Sequence, residues 1–305
     1  MEPVPTDRAS ARDRAWYASP VVVVLVVVPL LVAGGLAVWL LRPGAQPGQG
    51  AGDPPRAFRY LALGDSLAAG YQPETGDDKN GGYVGAVLAG LRSANPGHEI
   101  TAVNLGCSGE TTQTLVDGGL CTYPHGSQLQ QALAQLRVKD EPPVEVITID
   151  VGANDVIACI TPSGVDGGCA ADRITAVSDT LADVLTQLRT AAPQAKIVVL
   201  DYYNPFLAAW LLGSRGEQVA KQSTTSLDSL NTAIAAVATA HGADVAKVSG
   251  AFSTNDFTSA SGGATPTNVQ HVCDLTWMCS RADIHANDAG YKVLADAVLA
   301  ELSPR

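Results

Sequence analysis

Tyr60-Leu61-Ala62-Leu63-Gly64-Asp65-Ser66-Leu67-Ala68-Ala69-Gly70-Tyr71 is the stretch whose reading decides the fold. The apolar run over 58–63 has the near-continuous hydrophobicity of a strand covered on both faces, and it stops at a glycine. Ser66 then falls just beyond the carboxyl end of that strand, where open α/β sheets bind their ligands. Read alone, Gly64-Asp65-Ser66-Leu67 is equally an ordinary turn capped by Asp65 or Ser66. The rest of the chain has to decide between a turn and a nucleophile.

Beyond this stretch, strand-like and helix-like segments alternate. Helical periodicity over 83–94, 127–138, 173–191, 217–240 and 289–302 alternates with apolar strands over 99–104, 144–151, 196–202 and 243–248. Such alternation predicts crossover connections and a parallel sheet with helices on both faces, a three-layer α/β/α sandwich. One large α/β domain over 57–305 is the expectation, and no internal repeat is visible. The polar loop between Gln72 and Gly82 is acidic, but it lacks the ligand order and terminal Glu of an EF-hand loop, so it reads as solvated.

Lys and Arg number 19 against 30 Asp and Glu, and the resulting net charge of −11 argues against nucleic acid or an anionic membrane surface as the main partner. Val21 to Leu41 carries no charge and is long enough for one helical crossing of a bilayer. Arg8, Arg12 and Arg14 precede it and only Arg42 follows closely, which places 1–20 in the cytoplasm and the rest outside. A cleaved signal peptide, with Gly35-Leu36-Ala37 as the small-residue site and a secreted product, is the competing reading. The apolar run continuing through Leu41 favours the uncleaved anchor. Residues 42–56, rich in Gly, Pro and Gln, read as a flexible tether.

All six cysteines lie beyond the tether, an even count that suggests three disulfides in an exported domain. Fifteen pairings are possible. Each neighbouring pair brackets a loop-like stretch, so the expectation is Cys107 with Cys121, Cys159 with Cys169, and Cys273 with Cys279. No CxxC is present and no His stands at zinc-ligand spacing, so neither metal nor cofactor is called for.

Three further stretches fall where chemistry would sit. Asn104-Leu105-Gly106-Cys107-Ser108-Gly109 follows the second strand, and its glycines free backbone N–H groups to point at an anion. Asp150-Val151-Gly152-Ala153-Asn154-Asp155 follows the third strand, where the Asn154 amide could donate to a developing oxyanion. Asp283-Ile284-His285 precedes the last helix, and His is the natural general base near neutral pH. Each has a plain structural alternative: a strand-to-helix turn, a turn-opening Asn or Asp, a helix-entry His held by surface hydrogen bonds. Of the other histidines, His98 lies in a turn, His125 and His271 in loops near cysteines, and His241 at a helix end.

In this order the four stretches resemble the SGNH, or GDSL, hydrolase superfamily, with Ser66, Gly109, Asn154 and His285 at its four signature positions. The likeness covers about residues 58–302 and implies a flavodoxin-like α/β/α fold and ester hydrolysis by a serine nucleophile. Ser66 would attack the carbonyl and His285 would move the proton, while the N–H groups of Ser66 and Gly109 and the Asn154 amide would hold the oxyanion. The family's Asp usually stands three residues before its His. Here that position is Ala282 and Asp283 stands two before, so either Asp283 or a backbone carbonyl orients His285. Ala286 replaces the family's proline after the His. Cys273-Asp274-Leu275-Thr276-Trp277-Met278-Cys279 resembles a feature of secreted actinobacterial members, and a Trp packed beneath a disulfide loop is its plain alternative.

The expected substrate is a carboxylic ester, either an acyl lipid or an acylated small molecule or glycan. Residues 203–212, after the fourth strand, read as the lining of an acyl pocket or a lipid-facing segment, or as a helix packed on the core. A glycan O-deacetylase or acyltransferase is the alternative enzyme, and a binding module on an inactive hydrolase fold is the alternative outside enzymes.

Overall fold

The computed structural model describes residues 56–161, 164–259, 263 and 265–303. The cytoplasmic tail, the 21–41 anchor and all of the tether except Arg56 lie outside the described residues. Among the described residues no helix is long and apolar enough to cross a membrane.

The chain runs β1 (Ala57–Gly64), α1 (Ser66–Ala69), α2 (Gly82–Ala94), β2 (Glu99–Asn104), α3 (Thr112–Asp117), α4 (Gln128–Leu136) and β3 (Val144–Asp150). It continues through α5 (Ala153–Ile157), a two-strand ladder of β4 (Ile160–Thr161) and β5 (Gly164–Val165), α6 (Gly167–Ala191) and β6 (Lys196–Leu200). A 3-10 segment (Pro205–Leu212), α7 (Ser214–Ala240), β7 (Asp244–Ala246) and α8 (Val248–Ala251) follow. The last elements are α9 (Thr267–Leu275), α10 (Met278–Arg281) and α11 (Asp288–Leu302).

Among the described residues the main sheet has five strands, all parallel, in the order β2-β1-β3-β6-β7. Tyr60, Leu61, Ala62 and Leu63 are all 0% exposed, and since successive strand side chains face opposite ways, both faces of β1 are covered. Two groups of packed helices do the covering, α2 with α11 and α6 with α4 and α7. The α/β sandwich with a central parallel sheet, expected from the alternation of segments, is the observed fold.

Boundaries differ where local capping sets the end. Ser127 caps α4 by accepting from Gln130 N–H, so the helix begins one residue later than its periodicity suggested. Asp166 accepts from Cys169 N–H and starts α6 well before residue 173. The segment around His271, expected as loop, is helix α9, which buries Val269 and Val272 against Leu207 and Ala220 in a small second core. All three disulfides join nearest neighbours, Cys107–Cys121, Cys159–Cys169 and Cys273–Cys279, as expected.

From β1 the chain goes out to β2 on one side and then returns to β3 on the other. The strand order therefore reverses between β1 and β3, and the crevice outside their carboxyl ends is the natural ligand site. Gly64 closes β1 opposite Asp150, the last residue of β3. Its φ of +140° and the space around it both require glycine, because a Cβ there would lie 2.4 Å from the Asp150 carbonyl oxygen. Gly64→Ala should lower the unfolding free energy by about 2–5 kcal/mol in chemical denaturation, combining backbone strain and overpacking. A loss under about 0.5 kcal/mol, the size of an ordinary surface change, would show that the two strand ends can part without cost.

Candidate active site

The turn after Gly64 is built around two buried carboxylates. Asp65 N–H donates to the Asp150 carbonyl oxygen at 2.9 Å and to Asp150 Oδ1 at 3.1 Å, and Ala68 N–H reaches the same Oδ1 at 3.2 Å. Tyr83 Oη donates to Asp150 Oδ2 at 2.5 Å, and Tyr202 Oη donates to Asp65 Oδ2 at 2.9 Å. Asp65 Oδ1 also accepts from Leu67 N–H at 2.9 Å and so caps α1, whose first residue is Ser66. Gln128 clamps the strand end from the side, its Oε1 accepting from Gly64 N–H at 2.6 Å and its Nε2 donating to the Gly64 carbonyl at 3.0 Å. Ser66 is thereby fixed from both flanks while 8% of its surface stays exposed.

Burial pushes the Asp150 carboxyl well above the usual carboxylate range, and the neighbouring Asp65 carboxylate pushes it further. Asp65 is also raised by burial, an effect opposed by the donors it accepts from. Two such groups cannot both ionise freely in a dry site, and the upward push is the stronger on Asp150.

His285 enters the same crevice from the loop before α11. Its Nδ1 lies 2.7 Å from Asp283 Oδ1, and the same oxygen accepts from His285 N–H at 2.9 Å. The carboxylate two residues before the imidazole therefore reaches Nδ1 in spite of the shorter spacing. The Tyr71 ring covers one side of the imidazole, with centroids 4.3 Å apart. The backbone of this loop is tied to the segment closed by the Cys273–Cys279 bridge: Trp277 N–H donates to the His285 carbonyl at 2.9 Å, and Asn287 N–H to the Leu275 carbonyl at 3.0 Å.

Gly109 follows β2 with φ +85°, in the loop closed by Cys107–Cys121. Asn154 begins its side of the crevice in α5, and its Nδ2 donates to the Glu110 carbonyl at 3.0 Å, which joins its amide to the Gly109 loop. Asp155 reinforces that join by accepting from Thr112 N–H at 3.0 Å and Thr112 Oγ1 at 2.7 Å. Gln128 Nε2 also donates to Glu110 Oε2 at 2.9 Å, so one amide touches both the strand end and the Gly109 loop.

The acidic loop after Tyr71, read from sequence as solvated, is fastened at both ends. Asp77 accepts from Ser108 Oγ, and Lys79 Nζ donates to the Gly106 carbonyl. At its other end Gln72 Oε1 accepts from Trp277 Nε1 at 2.6 Å, and Glu74 pairs with Arg281 at 2.6 Å. The loop is a strap between the Gly109 loop and the His285 loop. Local sequence carries no signal for these contacts, since every partner is distant along the chain. Tyr71 and Gln128 likewise carry no local signal of their contacts, although Tyr71 stands in the opening stretch itself.

Asp65, Ser66, Asn154 and His285 line one recess that opens to solvent. Gly109 is not among the residues lining it. Among the described residues no group of three or more His, Cys, Asp and Glu is placed to hold a metal ion. What the recess brings together is a hydroxyl, an imidazole backed by a carboxylate and a side-chain amide. That set can support nucleophilic attack on a carbonyl with proton transfer.

The GDSL-like Lipase/Acylhydrolase family model matches residues 62–293. Among solved structures, the chain is similar to Axe2, an acetylxylan esterase from Geobacillus stearothermophilus. The two are 19% identical over 81% of this chain and 95% of that one, with a TM-score of 0.53. It is also similar to the lipase Lip_vut3 from a goat rumen metagenome, at 15% identity over 80% of this chain and 97% of that one, with a TM-score of 0.52. At these identities the likeness speaks for the fold. No curated protein matches the chain.

A carboxyl raised on folding adds stability that is complete below its unfolded value, about 3.9, and is lost as pH rises through its folded value. Wild-type stability should therefore fall from about pH 4 upward by the Asp150 contribution. An amide at this position stays uncharged at every pH: its oxygen can accept from Asp65 and Ala68 N–H, and its nitrogen can keep the contact to Tyr83 Oη with the donor and acceptor exchanged. Asp150→Asn should accordingly lose less stability between pH 5 and pH 8 than wild type in denaturation measured at both. An equal or steeper loss in the variant would show that Asp150 is ionised throughout.

Proposed function

Because the chain belongs to the GDSL-like lipase/acylhydrolase family and is a serine ester hydrolase, we propose that Ser66 is its nucleophile and His285 its general base and acid. The observation that carries this reading is that Ser66 and His285 line one recess while Asp283 holds His285 Nδ1 at 2.7 Å. His285 takes the Ser66 proton as Oγ attacks the ester carbonyl, and then gives it to the leaving alkoxide. Water repeats the sequence on the acyl-enzyme. Asp283 keeps the Nδ1 proton in place, leaving Nε2 free to act as base, and stabilises the imidazolium that forms.

The Asn154 amide, with the N–H groups of Ser66 and Gly109, serves as the oxyanion hole. The hydrogen bond from Asn154 to the Glu110 carbonyl supports that role, because a donor already held in place needs no reorganisation as charge develops. Ala153-Asn154 sits beside Ser66 in the recess, and the Gly109 loop is reached through Glu110.

The domain acts outside the cell in this reading, tethered by residues 21–41 through the 42–56 linker. Three disulfides with no free cysteine among the described residues support an oxidising compartment. The inactive binding module is disfavoured because Ser66, Asn154 and His285 are all present and line one recess, with Asp283 on the imidazole.

Hydrolysis of a chromogenic ester by the full-length chain tests the assignment. Ser66→Ala and His285→Ala should each lower kcat by about 10⁴-fold or more, and Asp283→Asn by less than His285→Ala. Asn154→Ala should cost about 10²- to 10³-fold in kcat with little change in KM, the pattern of a contact made in the transition state. Undiminished turnover in Ser66→Ala would remove the nucleophile, and a pure KM effect in Asn154→Ala would make that residue a substrate contact instead.

A further inference from the structure

The recess beside Ser66 and His285 is far more apolar than an ester bond requires. Val156, Ile157 and Ile160 form one wall from α5 and the residues after it. Phe206 of the 3-10 segment and Leu227 and Leu230 of α7 form the other. Leu227 and Leu230 stand three apart on α7, so they share one helix face turned to the recess.

Of the polar side chains that border the recess, Tyr202, Tyr203 and Asn204 are already engaged within the protein, and Ser226 lines it as well. Tyr202 Oη donates to Asp65 and Tyr203 Oη to the Ile284 carbonyl at 2.8 Å. Asn204 Nδ2 donates to Ser223 Oγ at 3.0 Å and Thr224 Oγ1 at 3.1 Å, and Asn204 Oδ1 accepts from Phe206 N–H at 3.0 Å. A sugar ring would find these two tyrosine hydroxyls and this amide occupied and few other polar groups to meet it. A hydrocarbon chain would find the surface it needs.

We infer that this recess binds the acyl chain of the substrate and that the enzyme prefers aliphatic acyl groups longer than acetyl, with Ile157, Phe206 and Leu227 setting the preference. The inference rests on the assignment of Ser66 as nucleophile. The acyl side is the one retained on Ser66 after the alcohol has left, and a recess walled by α5, the 3-10 segment and α7 suits a group that stays while water enters. The residues 203–212, for which the sequence left lining and core packing open, divide the two tasks. Phe206 lines the recess, and Leu207 is buried in the second core.

The experiment measures kcat/KM of the full-length chain on p-nitrophenyl acetate, butyrate, hexanoate and octanoate. A second series of acetate esters has alcohols of increasing length. Each methylene buried in the recess is worth about fourfold, corresponding to about 0.8 kcal/mol, so hexanoate, with four more than acetate, should exceed it by about 250-fold if all four are buried and by about tenfold if fewer than two are. Leu227→Trp, and independently Ile157→Trp, should lower the hexanoate-to-acetate ratio about tenfold by filling the space that the chain occupies. Leu227→Ala should move the optimum towards longer acyl chains.

Acetate hydrolysed as well as or better than hexanoate by wild type would overturn the inference while leaving the hydrolase assignment standing. So would an unchanged ratio in both Trp variants, or a ratio that changes only in the alcohol series. A folded wild-type chain inactive on every ester would instead overturn the assignment of Ser66.

Discussion

The close approach of Gly64 to Asp150 is the constraint on which the rest of the structure depends. Two adjacent parallel strands end side by side where the strand order reverses, and Asp150 takes up the N–H groups of Asp65 and Ala68. A side chain at residue 64 would push the strand ends apart. With glycine there, the chain turns sharply enough for α1 to begin at Ser66, and its hydroxyl stands at the mouth of the crevice instead of inside the sheet. The cost is a pair of buried acids whose carboxyls are both pushed above the usual carboxylate range.

From that point the site is a convergence of four loops, each tied to a neighbour. Gln128 links the strand end to Glu110, and Glu110 in turn holds Asn154. The strap after Tyr71 connects the Gly109 loop to Trp277 and Arg281, and Trp277 holds the backbone of His285. The loops around the recess are thus restrained by hydrogen bonds and short disulfide-closed segments, while the parallel sheet supplies the frame. Fixed donors and a fixed imidazole are what a reaction with developing charge requires, since groups already in place need not reorganise.

The sheet was legible because its order is written in short-range pattern. Phe58 to Leu63 and the other apolar runs show a double-faced strand without knowledge of any partner, and near-neighbour cysteines mark their own loops. The Ser66 and His285 stretches stand out through the company they keep along the chain, and the fold brings both to one recess. What sequence could not show depends on contacts between distant residues. Gln128 looks like any polar residue in a helix, and only the fold brings it to Gly64, 64 positions away. Asp283 looked misplaced by one residue, yet the loop backbone brings its carboxylate to Nδ1, because one oxygen accepts from both His285 N–H and the ring. His271 was read as loop because the apolar residues of α9 form only a short pattern and bury into a core made by other elements.

The most direct test of the account is active-site labelling with a fluorophosphonate followed by peptide mass analysis. The account predicts a single covalent adduct on the peptide containing Ser66, formed together with loss of ester hydrolysis and greatly slowed in His285→Ala. An adduct on a different residue, or continued hydrolysis by fully labelled protein, would contradict it.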